Sequence, residues 1–453
     1  MTVVAEQKIS QISWADYFRF RHLDEPNFLL ALANHYPDVV SISPWTYSPW
    51  AKIFVVTHPD LIEHIMKKNV DNYSKEFPMY RRMRRLLGEG LLTAMGPSWL
   101  YKRRELQTMF HAKKMQELAA HTVALTEEHI EKMQWYAKHH EIFNLTADML
   151  TLVLRISLRF LFSEEVDAEQ AAKIVKDFAI VQRNMCRALT LKPWVPSITN
   201  QRTRWLRNKI IKVAQRMVEK RRASPEDQWP DDLLTLLLRV RDPDTQVGLS
   251  EQELYDEIIT FMVTGHETTG NALSWTWYSL AQAPRALANL QDEVKTVLGR
   301  RLPTYEDIAN LPYTKQVLQE SLRIYPTIWS FARRVEEEDN ILGYTFPKHS
   351  TVVVSPYVMH RLAKHWPQAE RFIPERFAKE EMSQFDRYSY MPFGVGPHTC
   401  IASIFAMIQA QLIIAMTAQH YQFELLPESY SMPLEPLIAL RPKRGMRFYV
   451  KEV

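Results

Sequence analysis

Cys400 stands in the stretch "YMPFGVGPHTCIASIFAMIQAQL", residues 390–412, where a proline, two glycines and a second proline run into an apolar helical pattern. The spacing reads Phe393-Gly394-x-Gly396-x-His398-x-Cys400. It predicts a thiol at the N-terminal end of a helix, where the macrodipole and free N–H groups favour a thiolate. A thiolate binds soft metals, and a glycine turn before it lets a flat cofactor lie against the backbone. An isolated cysteine is more often a buried structural residue beside a loop. The glycine and histidine pattern around this one reverses that preference.

Two further stretches carry residue types suited to chemistry. In "NLPYTKQVLQESLRIYP", Glu320 and Arg323 share one helix face at i and i+3, while Leu318, Leu322 and Tyr325 line another. A lone surface pair of this kind contributes little. Downstream, "ERFIPERF" supplies Arg376 as a third member of a buried charge network. The third stretch is Gly265-x-Glu267-Thr268, inside a long helical run. A threonine there bonds the carbonyl four residues back, at Thr264, and opens or bends the helix. Beside an oxygen-binding metal, a hydroxyl backed by a carboxylate is a proton-delivery device. The plainer reading makes Glu267 a solvated residue and Thr268 a helix-bending packer.

The elements that must position these residues are mostly helical. In "GLSEQELYDEIITFMVTGHETTGNALSWTWYSLAQAP", Ser250 and Glu253 form a capping box and Pro284 stops the run. Such a helix is about 45 Å long, enough to cross a whole domain, and serves as a central beam. Strand signals are few and short: residues 52–56, 350–356 and 446–452. The expected fold is one large, mainly α domain over residues 1–453, with a short lead-in to about residue 35 and a minor β-sheet region from distant segments. The best breakpoint, "RRASPEDQWPDDLL" at 221–234, reads as a surface loop between helices. Glycines number only 11, against roughly thirty at average usage. A chain this sparing places them where the backbone needs them, at 394 and 396 in the turn and at 265 and 270 inside the helix, where each costs about 1 kcal/mol relative to alanine.

Composition excludes several classes. Lys and Arg total 56 against 52 for Asp and Glu, a net charge of +4 with no basic tail, so nothing demands nucleic acid. The two cysteines, Cys186 and Cys400, make neither a disulfide framework nor a zinc site, which points to a cytoplasmic chain. The start, "MTVVAEQKISQISWADYF", lacks the build of a signal peptide or a spanning run, so no transmembrane anchor is expected. "GHETTGN" has phosphate-loop glycine spacing, but Asn271 holds the lysine position mid-helix. "GVGPHT" has two of the glycines of a dinucleotide fingerprint and lacks the third. His266-Glu267 lacks the second histidine of a zinc protease, since position 270 is glycine.

The three stretches, in this order, resemble the cytochrome P-450 superfamily of haem-thiolate monooxygenases, from about residue 35 to the C-terminus. The resemblance implies the fold of that family, with haem b between a long central helix and the cysteine loop. It implies Cys400 as the axial iron ligand, whose thiolate donates electron density that favours O–O cleavage. Phe393 and Gly394 belong to the same haem-binding signature. Glu267 and Thr268 would carry protons to bound O2, and Glu320, Arg323 and Arg376 would form a structural network behind the haem. "SWLYKRREL" matches a Trp-x-x-x-Arg pattern, so Trp99 and Arg103 are expected at a propionate, as is His398. "FARRVEEEDNILGYTFPKHS" suggests Arg333 as another propionate partner, with Arg334 the alternative. Two positions depart from the family pattern. Thr264 replaces the usual alanine before Gly265, and Ala402 replaces a glycine two positions after the cysteine.

The implied reaction inserts one atom of O2 into a C–H bond or alkene of a lipophilic small molecule. Expected pocket residues are Phe77, Met79, Leu86, Leu87, Phe261, Thr264, Ile328 and Trp329, a large apolar set. Arginines at 81, 82, 84 and 85 suit a substrate carboxylate, which puts a fatty acid first and terpenoid-like or aromatic molecules next. The chain carries no flavin or iron–sulfur pattern, so a monomer fed by a ferredoxin- or flavodoxin-type donor with its NAD(P)H reductase is expected. The basic run "YKRRELQTMFHAKK" is either its docking face or an ordinary solvated helix face. Two rivals are a peroxide-driven peroxygenase and a haem-binding protein that catalyses nothing; the retained Glu267–Thr268 pair argues against both.

Overall fold

The computed structural model describes residues 7, 9–42, 52–187, 198–242, 245–382 and 385–453, without the side chains at 185–187, 198–200, 202, 203, 380 and 382. The Cys186 side chain and most of the chain start, residues 1–6 and 8, therefore lie outside what is described. The chain forms two compact units: one holds residues 1–81 and 319–400, the other residues 82–318 and 401–453.

The first unit is built on a six-stranded mixed sheet in the order Ser10–Gln11, Val39–Ile42, Ile53–Val56, Thr351–Val354, Phe331–Val335, Tyr73–Ser74. The apolar run Ile53–Val56 pairs on both edges, antiparallel with Val39–Ile42 and parallel with Thr351–Val354. Phe54, Val55 and Val56 are accordingly buried. Phe331–Val335 lies antiparallel to Thr351–Val354 with Arg333 opposite Val352 and Arg334 opposite Thr351. Adjacent residues of a strand face opposite sides, and this register decides which of the two arginines turns inward.

The second unit is helical around the Glu251–Ala281 helix, 31 residues long and so about 46 Å. Its start is the expected capping box: Ser250 Oγ accepts from the Glu253 N–H at 3.3 Å, and Glu253 Oε2 accepts from the Ser250 N–H at 3.0 Å. The next helix opens on Pro284. The helix Leu145–Phe162 packs along the long helix so closely that a Cβ on Gly270 would lie 2.9 Å from Leu150 Cα. At Gly265 the nearest such atom, Ser157 Oγ, is 3.6 Å away, an ordinary contact. Trp275 and Trp277 are buried deep in this unit, and Trp275 Nε1 donates to Leu440 O at 3.1 Å. That bond fastens the hairpin of Leu434–Pro436 with Leu440–Pro442 to the long helix.

The three strands read from the sequence appear as Ile53–Val56, Thr351–Val354 and Arg447–Glu452. Val39–Ile42, Phe331–Val335 and Tyr421–Leu425 carried no comparable signal, being short and, in "FARRV", interrupted by charge. Of the 221–234 stretch, residues 223–232 form the expected connection between the helices Ile198–Arg222 and Leu233–Arg239, with a 3-10 turn at Glu226–Gln228, and it lies inside the second unit rather than at a boundary. Arg221 and Asp232 close it with a buried ion pair of 2.6 Å. Among the described residues no helix is long and apolar enough to cross a membrane.

Candidate active site

In the first unit the glycine turn is held open by backbone geometry. Gly394 and Gly396 both take φ of +75°, the left-handed region that penalises a side chain. At Gly396 the restriction is double, because a Cβ would fall 1.9 Å from Met66 O. The turn then closes on itself: the Cys400 N–H donates to Phe393 O at 2.9 Å and the Thr399 N–H to Gly396 O at 3.1 Å. One expectation needs correcting here. The helix starts at Ser403 with Ala402 as its N-cap, so Cys400 lies in the loop ahead of it, not in its first turn. A macrodipole acts within that first turn, so it gives the thiol little help. Ala402 has φ of −98°, an ordinary value for a side-chain-bearing residue, so the missing glycine costs no strain.

The charge network of the same unit is fully internal. Arg323 Nε and Nη2 donate to the two oxygens of Glu320 at 2.7 and 2.8 Å, and neither side chain has exposed surface. Arg376 Nε stands 3.4 Å from Glu320 Oε1, and the Ile373 N–H donates to the same oxygen at 2.8 Å. Burial raises the Glu320 carboxyl above its ordinary value while Arg323 opposes the shift. A residue no motif marked completes the arrangement. His360 Nε2 accepts from the Met391 N–H at 2.8 Å, which leaves Nδ1 to donate to Arg323 O at 3.1 Å. Burial holds this imidazole neutral, pushed down to about 3. It thus links the arginine to the segment entering the cysteine loop.

Arg333 and Arg334 separate as the sheet register requires. Arg334 Nη2 is taken by Glu336 at 3.2 Å, in a half-buried pair. Arg333 is 4% exposed and bonds only to neutral oxygens, Tyr80 OH at 3.2 Å and Ala332 O at 2.9 Å. Among the described residues it has no acidic partner. A buried guanidinium without a counter-charge is costly, and it suits an anionic group of a bound cofactor. Together with a thiol on a glycine turn, this donor set fits a haem with its propionates. Among the described residues no cluster of three or more His, Cys, Asp or Glu could hold a metal ion instead.

In the second unit the long helix carries the acid and the alcohol. Thr268 Oγ1 donates to Thr264 O at 3.0 Å, and Thr264 Oγ1 repeats the bond to Thr260 O at 2.8 Å. The extra hydroxyl at Thr264 is therefore satisfied on its own helix. Glu267 is not the solvated residue of the plainer reading: it is 7% exposed, and burial pushes its carboxyl up to about 7 against the pull of Arg441 and Gln182. Gln182 Nε2 donates to Oε2, and Arg441 Nη1 lies 3.7 Å from Oε1. Neither partner was marked by any motif. Arg441 is 259 residues from Gln182 in the chain, and nothing local in either sequence announces the meeting.

Trp99, buried, and Arg103, half-buried, lie one turn apart on the helix Gly96–Leu106 of the second unit. His398 is half-buried in the cysteine loop. In the first unit Phe77, Met79 and Ile328 are half-buried and Trp329 is buried. In the second, Leu86, Leu87 and Phe261 are buried and Thr264 half-buried. The basic run is not one solvated face: Lys102 is 3% exposed and pairs with Glu257 at 3.3 Å, and Lys114 pairs with Asp231 at 2.8 Å. The arginines thought suited to a carboxylate are partly committed. Arg81 meets Glu76 at 3.2 Å, and Arg84 donates to Thr93 O at 3.3 Å.

Comparison with known proteins assigns the chain to a family. The cytochrome P-450 family model matches residues 26–447, which takes in most of both units. Cyclooctatin synthase of Streptomyces melanosporofaciens is 31% identical over 385 residues, covering 84% of this chain and 83% of that protein. Pentalenene oxygenase of Streptomyces avermitilis is 27% identical over 394 residues, covering 86% of each. Protein LUTEIN DEFICIENT 5 of Arabidopsis thaliana is 27% identical over 430 residues, covering 89% of this chain and 71% of its own. With the match running over nearly its whole length, the chain belongs to the cytochrome P-450 family, haem-dependent monooxygenases that use O2.

Proposed function

We propose that this protein hydroxylates or epoxidises a terpenoid-like lipophilic molecule with O2, using electrons from a separate acidic ferredoxin- or flavodoxin-type donor. Bound haem supplies the oxygen-activating iron. Cys400 would be its thiolate ligand, presented by the Gly394–Gly396 turn, with Phe393 beside it. Arg333, His398, Trp99 and Arg103 would hold the propionates. Glu320, Arg323 and Arg376 fix the backbone from which the cysteine loop departs.

The observation that carries the reading is the buried Glu267 beside Thr268. A carboxyl titrating at about 7 both holds and releases a proton near neutral pH. That is what an O2-driven reaction needs and a peroxide-driven one does not. Thr268 Oγ1 has a ready acceptor in Thr264 O, so its hydroxyl is held in one orientation.

Two observations favour a terpenoid over the fatty acid first expected. Arg81 and Arg84 already have partners, which weakens the carboxylate anchor. Cyclooctat-9-en-7-ol 5-monooxygenase of Streptomyces melanosporofaciens, 30% identical, and pentalenene oxygenase are named for terpenoid substrates. A half-open cavity of about 290 Å³, lined on its apolar side by Phe178, Leu206, Ile210, Val213 and Met262 and otherwise by polar groups that include Lys173, Asp177 and Lys209, offers such a skeleton apolar contact over part of its wall.

The test is the absorption spectrum of the reduced protein under carbon monoxide, followed by turnover on terpenoid and fatty-acid panels. A strongly red-shifted Soret band, lost in Cys400→Ala, is expected, with terpenoid product formed under a ferredoxin and its reductase. An unshifted band would overturn the ligand assignment. Fatty-acid preference, or turnover with peroxide alone, would overturn the substrate or the oxidant.

A further inference from the structure

Glu267 is gripped from outside its own helix. Gln182 Nε2 donates to its Oε2, while Arg441 Nη1 lies 3.7 Å from Oε1 and donates to Gln182 Oε1 at 3.4 Å. Among the described residues Oε1 accepts no hydrogen bond, and Arg441 Nε donates none. Glu267 and Arg441 are 7% and 8% exposed, so salt and water screen their interaction weakly. On the hairpin, Glu435 is the cross-strand partner of Arg441. Arg183, next to Gln182 in the chain, holds Glu435 with two bonds of 2.9 and 3.0 Å and is itself 39% exposed. A row of polar groups thus leads from the buried carboxyl to solvent.

We propose that Gln182 and Arg441 are positioning residues for a proton-transferring Glu267, and that Glu435 with Arg183 forms the solvent end of the same row. The inference rests on the reading above that Glu267 moves protons. The proton sits on Oε1, since Oε2 is occupied by the Gln182 amide. When it leaves, the new negative charge lies opposite Arg441 Nη1. A proton from solvent restores the acid, and no electrons move.

The charged groups acting on Glu267 are few and of known sign. Arg441 favours the carboxylate, and Glu435 opposes it. His266, its chain neighbour, is neutral, pushed down to about 4 by burial, with Nδ1 on Met262 O at 2.7 Å. Where the helix Leu145–Phe162 comes nearest to Gly265 and Gly270, on either side of Glu267 in the chain, it presents Ser157, Leu161 and Leu150, none of them charged.

The signs supply the test. On the haem-loaded protein, the infrared carboxyl band that disappears in Glu267→Gln is titrated against pH, and product formed per O2 consumed is measured across the same range. Arg441→Met and Gln182→Leu should move the midpoint alkaline, and Glu435→Gln should move it acid. Coupling in Arg441→Met should fall about tenfold at neutral pH, the scale on which outer partners act, with the missing oxygen recovered as peroxide. Midpoints that stay fixed, or that all move one way, would overturn the inference while leaving the Glu267 reading intact. If Glu267→Gln itself left coupling and its pH profile unchanged, both would fall. Should Arg441→Met fail to fold, the opposed shifts of Gln182→Leu and Glu435→Gln decide the matter alone.

Discussion

Arg323 directs its donors at four acceptors: the two oxygens of Glu320, His360 O at 2.8 Å and Arg371 O at 3.2 Å. Its ring of contacts is closed by Trp366, whose centroid lies 5.4 Å from the guanidinium carbon. Arg323→Leu therefore removes more than one ion pair. It leaves Glu320 with only the Ile373 N–H at 2.8 Å and Arg376 at 3.4 Å, and frees the carbonyls of His360 and Arg371. Breaking a buried pair by deleting one partner costs about 3–5 kcal/mol. The unfolding midpoint in urea should drop accordingly, with little haem-loaded protein recovered. A midpoint within error of the parent would mean the network contributes nothing to stability. The pair itself was legible, because Glu320 and Arg323 lie at i and i+3 on one helix. His360 was not: its two bonds join Arg323 to Met391, a meeting that no local spacing encodes. The same holds for Gln182 and Arg441, which packing alone brings to Glu267.

The two glycines of the long helix look alike in sequence and differ in the fold. A methyl group at Gly270 would meet Leu150 Cδ2 at 2.7 Å and Leu150 Cα at 2.9 Å, and the Cα cannot swing aside. Gly270→Ala must part the long helix from Leu145–Phe162, and overpacking of this kind costs about 1–3 kcal/mol. At Gly265 the added carbon would touch Ser157 Oγ at 3.6 Å and Leu161 Cδ1 at 3.9 Å. Gly265→Ala should be tolerated, gaining up to about 1 kcal/mol of helix propensity. Thermal unfolding of the two variants side by side checks this, and a Gly270→Ala protein as stable as Gly265→Ala would show that the helix contact is loose. Helix positions were legible because apolar periodicity, the Ser250 cap and Pro284 are local signals. The strand Phe331–Val335 was not, since its neighbours Thr351–Val354 and Tyr73–Ser74 are remote in the chain. Its register nevertheless settles what sequence left open, turning Arg333 inward and Arg334 to Glu336.

Across the whole molecule, burial leaves several groups in protonation states they would not hold in water, and these set the acid response. His129, His266 and His360 are pushed down by burial to about 3, 4 and 3. An unfolded chain protonates them near 6.5, so unfolding takes up protons in that interval and stability falls as pH falls, by about 1.4 kcal/mol per pH unit for each group. Glu257, Glu267 and Glu320 are raised by burial. The stability they contribute is greatest below their unfolded values and is lost as pH rises, so they pull against the histidines. The slope of the parent protein therefore mixes opposed contributions, and a difference between variants isolates one. His129 suits the purpose: it lies in the helix Ala112–His139, its ring centroid is 6.1 Å from that of Phe143, and Nε2 has no hydrogen-bond partner among the described residues. His129→Phe replaces it by an apolar ring and removes one proton uptake. Below pH 6.5 its stability should fall more gently than the parent's, the gap widening by about 1.4 kcal/mol per pH unit, as read from urea midpoints at a series of pH values. Parallel curves would mean that the imidazole is already protonated in the fold, and that a buried charge at this position is tolerated between the cations of Lys132 and Arg155.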